Sequence, residues 1–251
     1  MGARTALAVV VTLALVGGAR PAQGADIRVL ASNGIKAPLE AIEPEFERVT
    51  GHTLTIEYST AATLKQRIEA GEAFDVAVLT NEAVADLIKS GALLGATRAE
   101  LAAVGIGVGV RSGAARPDIR TAAGMKASLL GAKAVAYTRD GATRPAIDKM
   151  FAMLGITHEM ETRSRLVSAG QGPPAVARGE SDMVITLSSE ILPEPGVVLV
   201  GPVPADFQMT FGFSAAAASK TGATPPVQAL IRYLDGPVSA TIYTAKGMDV
   251  R

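Results

Sequence analysis

An α/β protein of two lobes, each a mostly parallel sheet flanked by helices and joined to the other by two crossing strands, is predicted by three features of the sequence. From residue 27 onward, short apolar runs alternate with segments of helical spacing, the pattern that calls for a parallel sheet with helices on both faces. The texture then changes at 104–118, where VGIGVGVRSGAARPD alternates glycine with apolar residues before a proline-containing turn, as a strand crossing into a second lobe would. A further apolar strand at 209–218 (MTFGFSAAAA) suits the return. Lobe 1 is therefore expected at residues 25–106 plus 208–251 and lobe 2 at 107–207, with no internal repeat or low-complexity tract.

The elements follow in order. Residues 27–31 (IRVLA) read as a strand, and Leu39, Ile42, Phe46 and Val49 then recur at helical spacing. Pro44 should kink or divide that helix, since it lacks the N–H and crowds the preceding turn. Gly51 closes it, and 53–58 alternates into the next strand. In YSTAATLKQRIEAGEAFDVAVLT, residues 58–80, Ser59 and Thr60 are good N-cap residues, Leu64 and Ile68 mark one helix face, Gly71 stops the helix, and 75–79 is a buried strand. Asn81 should cap a helix ending at Gly91. In the second lobe the pattern gives a helix at 122–130, a strand at 134–137, a helix at 143–154 stopped by Gly155, a helix at 173–178, and strands at 183–187 and 197–200. Helices at 226–234 and 239–245 are expected to pack back on lobe 1.

Composition bounds the class. The 251 residues are 48% hydrophobic and only 4% aromatic, enough for a core of Ala, Val, Leu and Ile. Residues 1–24 carry Arg4, an apolar run over 6–16 and Ala22-Gln23-Gly24 before Ala25, the order of a secretory signal peptide. The run is too short for the roughly 20 residues of a membrane span. Without Arg4 and Arg20, 22 basic residues stand against 24 acidic ones, a net charge near −2 that gives no bulk attraction for nucleic acid or anionic lipid. Cysteine is absent, which excludes thiol nucleophiles, thiolate zinc sites, disulfides and a lipidated cysteine. A monomer free in the periplasm, without membrane insertion after signal removal, is expected.

Little points to catalysis. His52 and His158 both follow helix-stopping glycines and read as surface residues, and Glu43 with Glu47 falls on a solvated helix face. No GxSxG, HExxH or CxxC is present. The GxGxG of residues 105–109 lacks the spacing and the following helix of a phosphate loop. No enzyme activity, cofactor or metal is expected. The chain does have four strand-to-helix turns rich in small, hydroxyl or amide residues: Ser32-Asn33-Gly34, Ser59-Thr60-Ala61, Asp140 to Arg144, and Ser168-Ala169-Gly170-Gln171. In parallel sheets such turns lie at the carboxyl edge of the strands, where ligands bind, and helix N-termini add unpaired N–H donors and a positive dipole end. Four of them around one cleft suit a small anion.

With these residues in view, the chain resembles the molybdate-binding proteins of ABC uptake transporters, a branch of the type II periplasmic solute-binding fold. The 58–80 stretch resembles that family's aromatic-x-Ser-Ser-x-x-Leu segment with its following helix, Gly and Asp-Val. ARGESDMVITLSSEI resembles its glycine-glutamate-alanine-aspartate segment, and GMDV its Gly-Phe close. The resemblance implies capture of an oxyanion between two lobes and delivery to a membrane permease subunit. It places oxyanion contacts near Ser32, Asn33 and Gly34, on Thr60 or Ala61, on the backbone at Thr143 and on the backbone near Ala169; Ser59, Arg144 and Gly170 beside them complete the candidate ligand-binding set. The sequence departs from the pattern at three places. The family's first-turn Ser-Leu is Gly34-Ile35, its tyrosine falls on Leu187, and its Pro-Ala-Gly turn is Ala142-Thr143-Arg144. Arg144, helped by Arg139 or Lys36, would suit a two-pronged pair with a carboxylate, so a small organic polycarboxylate stands beside molybdate or tungstate as the expected ligand. A periplasmic sensor subunit, an exported hydrolase and a regulator's effector domain are the competing classes. The last lacks its DNA-binding segment here.

Overall fold

In the computed structural model, which describes residues 24–222 and 224–250, the chain begins with β1 (Asp26–Ser32), α1 (Lys36–Thr50), β2 (Thr53–Ser59), α2 (Ala61–Glu69), β3 (Val76–Thr80) and α3 (Asn81–Lys89). The long β4 (Ala99–Arg111) follows. After it come α4 (Ala122–Gly131), β5 (Val135–Thr138), α5 (Arg144–Leu154), α6 (Thr157–Glu161), β6 (Ser164–Val167), α7 (Gly172–Ala177), β7 (Met183–Leu187), α8 (Ser188–Ile191) and β8 (Val197–Pro202). The last elements are β9 (Thr210–Ala217), α9 (Pro225–Leu234) and α10 (Pro237–Ala245). The expected signal peptide lies, but for Gly24, outside the described residues.

The strands run in the order β2-β1-β3-β9-β4-β7-β5-β6, with β8 also on β4. Two parallel blocks result. One is β2, β1 and β3; the other is β7, β5 and β6. Antiparallel β9 and β4 join them. Strand β4 changes partners along its length: residues 99–105 pair with β9, and 106–111 pair with β7 and β8. The chain returns through residues 203–209, because β9 itself pairs only within the first block, against β3 and the start of β4.

Each block is covered on both faces, as parallel strands require. In the first, Leu39, Ile42 and Phe46 of α1 pack with Leu230 and Leu234 of α9 and Tyr243 of α10, while Leu64 of α2 and Leu87 of α3 fill the other side. In the second, Met125, Ile147 and Phe151 lie on one face, and Ala175 and Val176 of α7 with Ile191 of α8 on the other. The glycines of β4 follow from this packing. A Cβ at Gly107 would stand 2.6 Å from Ser188 Oγ and one at Gly109 2.8 Å from Ile191 Cγ2, so only glycine lets α8 lie against the strand.

Some local expectations change. Helix α1 runs unbroken through Pro44, which is exposed, so the carbonyl that the proline leaves unpaired faces water. Val49 is exposed, beyond the reach of the core. The cap of α3 is Thr80, not Asn81: its hydroxyl accepts from the Ala83 N–H at 3.4 Å.

Candidate functional site

The carboxyl ends of the strands in both blocks point at one another, and most end in hydroxyl residues: Ser32 on β1, Ser59 on β2, Thr80 on β3 and Thr138 on β5. Between them lies a cavity of about 380 Å³, open solvent at its mouth included. From the first block it is lined by Ser32, Asn33, Thr60, Ala61 and Thr80. From the second it is lined by Thr138, the Gly141–Ala142–Thr143 turn, Ala169 and Gly170, and Thr186, Leu187 and Glu190. No lysine, arginine or histidine is in this lining.

What the cavity offers is neutral hydrogen-bond donors. Thr60 caps α2, its hydroxyl accepting from the Thr63 N–H at 3.1 Å, which leaves the first-turn N–H groups at Ala61 without a helical partner. Across the cavity, the Arg144 N–H is spent on the Gly141 carbonyl and Pro145 has none, so Thr143 supplies the donors at the start of α5. The hydroxyls of Ser32, Thr138 and Thr143 belong to buried residues and have no hydrogen-bond partner among the described residues. Their oxygens stay open to the cavity, since the buried unpaired side-chain oxygens among the described residues are those of Tyr58 and Ser181. A bound acceptor would pair all three.

The two blocks touch around this cavity. Asp140, ahead of α5, accepts from the Thr63 hydroxyl at 3.0 Å and lies 3.3 Å from that of Thr60. The Ser189 hydroxyl donates to the Gly34 carbonyl at 2.6 Å. Gly170 takes a left-handed φ of 71°, and a Cβ there would sit 3.5 Å from the Asn33 amide, so that turn closes directly over β1's end.

The lining includes Ser32, Asn33, Thr60, Ala61, Thr143, Ala169 and Gly170 from the sequence candidates. Three others stand apart from it. Ser59 ends β2 without reaching the cavity. Gly34 is a packing residue: a Cβ there would fall 2.4 Å from Leu187 Cδ1 and 2.6 Å from Phe213 Cζ. Arg144 turns away, its Nε donating to Asp148 at 2.8 Å and its guanidinium 5.2 Å from the centre of the Tyr137 ring, so it lines an adjoining groove with Lys65 and Met209. Four residues that sequence reasoning passed over line the cavity: Thr80, Thr138, Thr186 and Glu190. The three threonines were readable as hydroxyls at or next to the carboxyl ends of apolar strands. Glu190 carried no such signal.

Glu190 is the one titratable side chain in the wall. Burial lifts its carboxyl above the usual carboxylate range, and the hydrogen bond from the Thr186 hydroxyl opposes that shift. Among the described residues no group of His, Cys, Asp and Glu is arranged to hold a metal ion, and no helix is long and apolar enough to cross a membrane.

This cavity sits in a chain whose residues 27–249 match the family described as bacterial extracellular solute-binding protein. The chain belongs to that family. Relatives of this solute-binding protein include an aconitate isomerase from Pseudomonas sp., 28% identical over 88% of this chain and 87% of its own length. The molybdate-binding protein ModA of Azotobacter vinelandii is 26% identical over 90% of each chain. The solved periplasmic molybdate-binding protein of A. vinelandii superimposes with a TM-score of 0.77 at 18% identity, covering 90% of this chain and 99% of that one. The resemblance read from residues 58–80 and the fold expected with it both stand.

Proposed function

We propose that this solute-binding protein works outside the cytoplasm, holding a small oxyanion of the molybdate or tungstate type between its two lobes and delivering it to an ABC permease. The observation that carries this reading is the donor set: hydroxyls of Ser32, Thr138 and Thr143, on residues otherwise buried, left without protein partners and open to one cavity that α2 and α5 enter by their N-termini. Neutral donors and helix ends stabilise an anion without a fixed counter-charge. A compact tetrahedral anion needs no more, and it exchanges its hydration shell for these groups when the lobes close by hinge motion. No bond is broken. The export signal expected at residues 1–24 fits the same role.

A second reading keeps the site and changes the ligand: one carboxylate of a small organic polyacid takes the cavity. Arg144 no longer supports it, being paired with Asp148. A polar cleft on the other side of Asn33, Gly170 and Glu190 does, since Lys36, Tyr58 and Gln171 there give the rest of a larger molecule a place. The aconitate isomerase relative points the same way.

Titration calorimetry with molybdate, tungstate, sulfate, phosphate, citrate and aconitate tests both. The expected result is saturable one-site binding of molybdate or tungstate ahead of the organic acids, with aconitate recovered unchanged. Tighter binding of citrate or aconitate would select the second reading, and no binding of any anion would end both. Loss of uptake on limiting ligand after deletion of the protein is expected of a transport component; unchanged uptake would favour a sensor.

A further inference from the structure

We propose that Glu190 is the proton-bearing donor of the anion site: as a neutral acid it donates a hydrogen bond to the bound anion, so that capture of a fully ionised anion requires one proton held on this side chain. The inference rests on the binding function proposed above and deepens it.

The cavity holds no cation, yet Glu190 is part of its wall. An ionised carboxylate and an oxyanion in such a space repel strongly, because no cationic side chain lines the cavity to offset either charge. The conflict disappears if the carboxyl keeps its proton, since a neutral carboxylic acid is a donor like the hydroxyls around it. The local geometry allows this. One carboxyl oxygen, Oε2, accepts from the Thr186 hydroxyl, which leaves Oε1 for the proton. No cation lies within ion-pair distance among the described residues to favour the ionised form.

The groups facing Glu190 from its surroundings do not change the sign. On the cleft side stand Lys36 and Glu40 of α1, Tyr58 of β2 and Glu194 after α8. Lys36 is engaged there, 3.6 Å from Glu40 and 5.5 Å from the Tyr58 ring centre. Strand β7 presents Thr186, β4 meets α8 through Gly107 and Gly109, and neither β8 nor α7 contains a titratable residue. Burial already lifts the carboxyl above the usual range, and an anion beside it raises it further, so the complex holds the proton to higher pH than the free protein does.

The sign of the pH effect follows. Binding is fully developed below the free protein's Glu190 pKa and is lost as pH rises through and beyond it, by up to about tenfold per pH unit. Molybdate and sulfate are suitable probes because both stay dianionic from about pH 6 to about pH 9, so a slope in that range belongs to the protein. Calorimetry of the full-length protein in two buffers of different ionisation enthalpy should show the affinity of the tighter-binding probe falling with pH, with proton uptake on binding. Glu190→Gln, neutral at every pH and still a donor, should bind with an affinity that does not change with pH and show no proton uptake. Equal affinity across the range, absence of proton uptake, or a Glu190→Gln profile parallel to the original would overturn the proposal while leaving the binding function in place. Failure of both probes to bind at any pH would remove the oxyanion-binding function and the proposal together.

Discussion

Replacing Phe213 with alanine is expected to lower stability by about 3–5 kcal/mol, with a fall in melting temperature on the order of 10 °C. Phe213 is fully buried on β9, between Thr80 of β3 and Ala102 of β4. Its ring, together with Leu187, forbids a side chain at Gly34. Removing it leaves a cavity beneath the turn that carries Ser32 and Asn33, in a cluster with Leu187 of the opposite block. A cavity of this kind costs more than the lost transfer energy, because covalently fixed strands cannot collapse into it. Phe211, two residues earlier and only half-buried, is the control. Denaturant unfolding of both alanine variants checks the claim. Equal losses at the two positions, or a negligible loss at Phe213, would show that β9 does not hold the blocks together through this ring.

The second large effect concerns binding. Changing Ala61 to aspartate should weaken anion affinity by on the order of 100- to 1000-fold, the consequence of roughly 4 kcal/mol between like charges about 4 Å apart at an effective dielectric constant near 20. Ala61 is the first residue of α2 and lines the cavity. An acidic residue in a first turn interacts favourably with the helix dipole, which offsets part of the cost of a charge at this buried position, and the melting temperature of each variant checks that the fold survives. Asparagine at the same position, of similar size but neutral, should cost far less affinity. Calorimetry with molybdate separates the two variants, and equal affinities would mean that the anion does not approach the start of α2.

The fold was legible where local pattern decides it. Apolar strands such as MVITL and the run expected at 75–79 and found at 76–80, helical spacing at Leu39, Ile42 and Phe46, and glycine stops at Gly51 and Gly155, both left-handed, all read from neighbouring residues alone. Strand order was not legible. Nothing local tells β9 to enter antiparallel between β3 and β4, because that depends on which edge lies free once the parallel blocks form. The short α6, β6 and α8 carry too few residues for a period to show.

The site divides in the same way. Turns at strand ends could be found from their composition, so Thr60, Ala61 and Thr143 were in view. The direction of a side chain could not, as Gly34, packed beneath Leu187 and Phe213, illustrates. Arg144 is a partial exception. Asp148 lies four residues on, the spacing at which opposite charges meet on a helix, and that pairing turned it from the cavity. Glu190 was hidden for a different reason: in ITLSSEI it resembles an ordinary acidic residue in a first helical turn, and only the approach of both blocks makes it a cavity wall.

The proposed binding function requires one anion between the N-terminus of α2 and the turn before α5. Anomalous diffraction from crystals grown with tungstate tests it most directly, since tungsten marks its own position. A single strong peak is expected inside the cavity, with ligand oxygens within hydrogen-bond distance of Ser32, Ala61 and Thr143. A peak elsewhere on the protein, or an empty cavity at saturating tungstate, would contradict it.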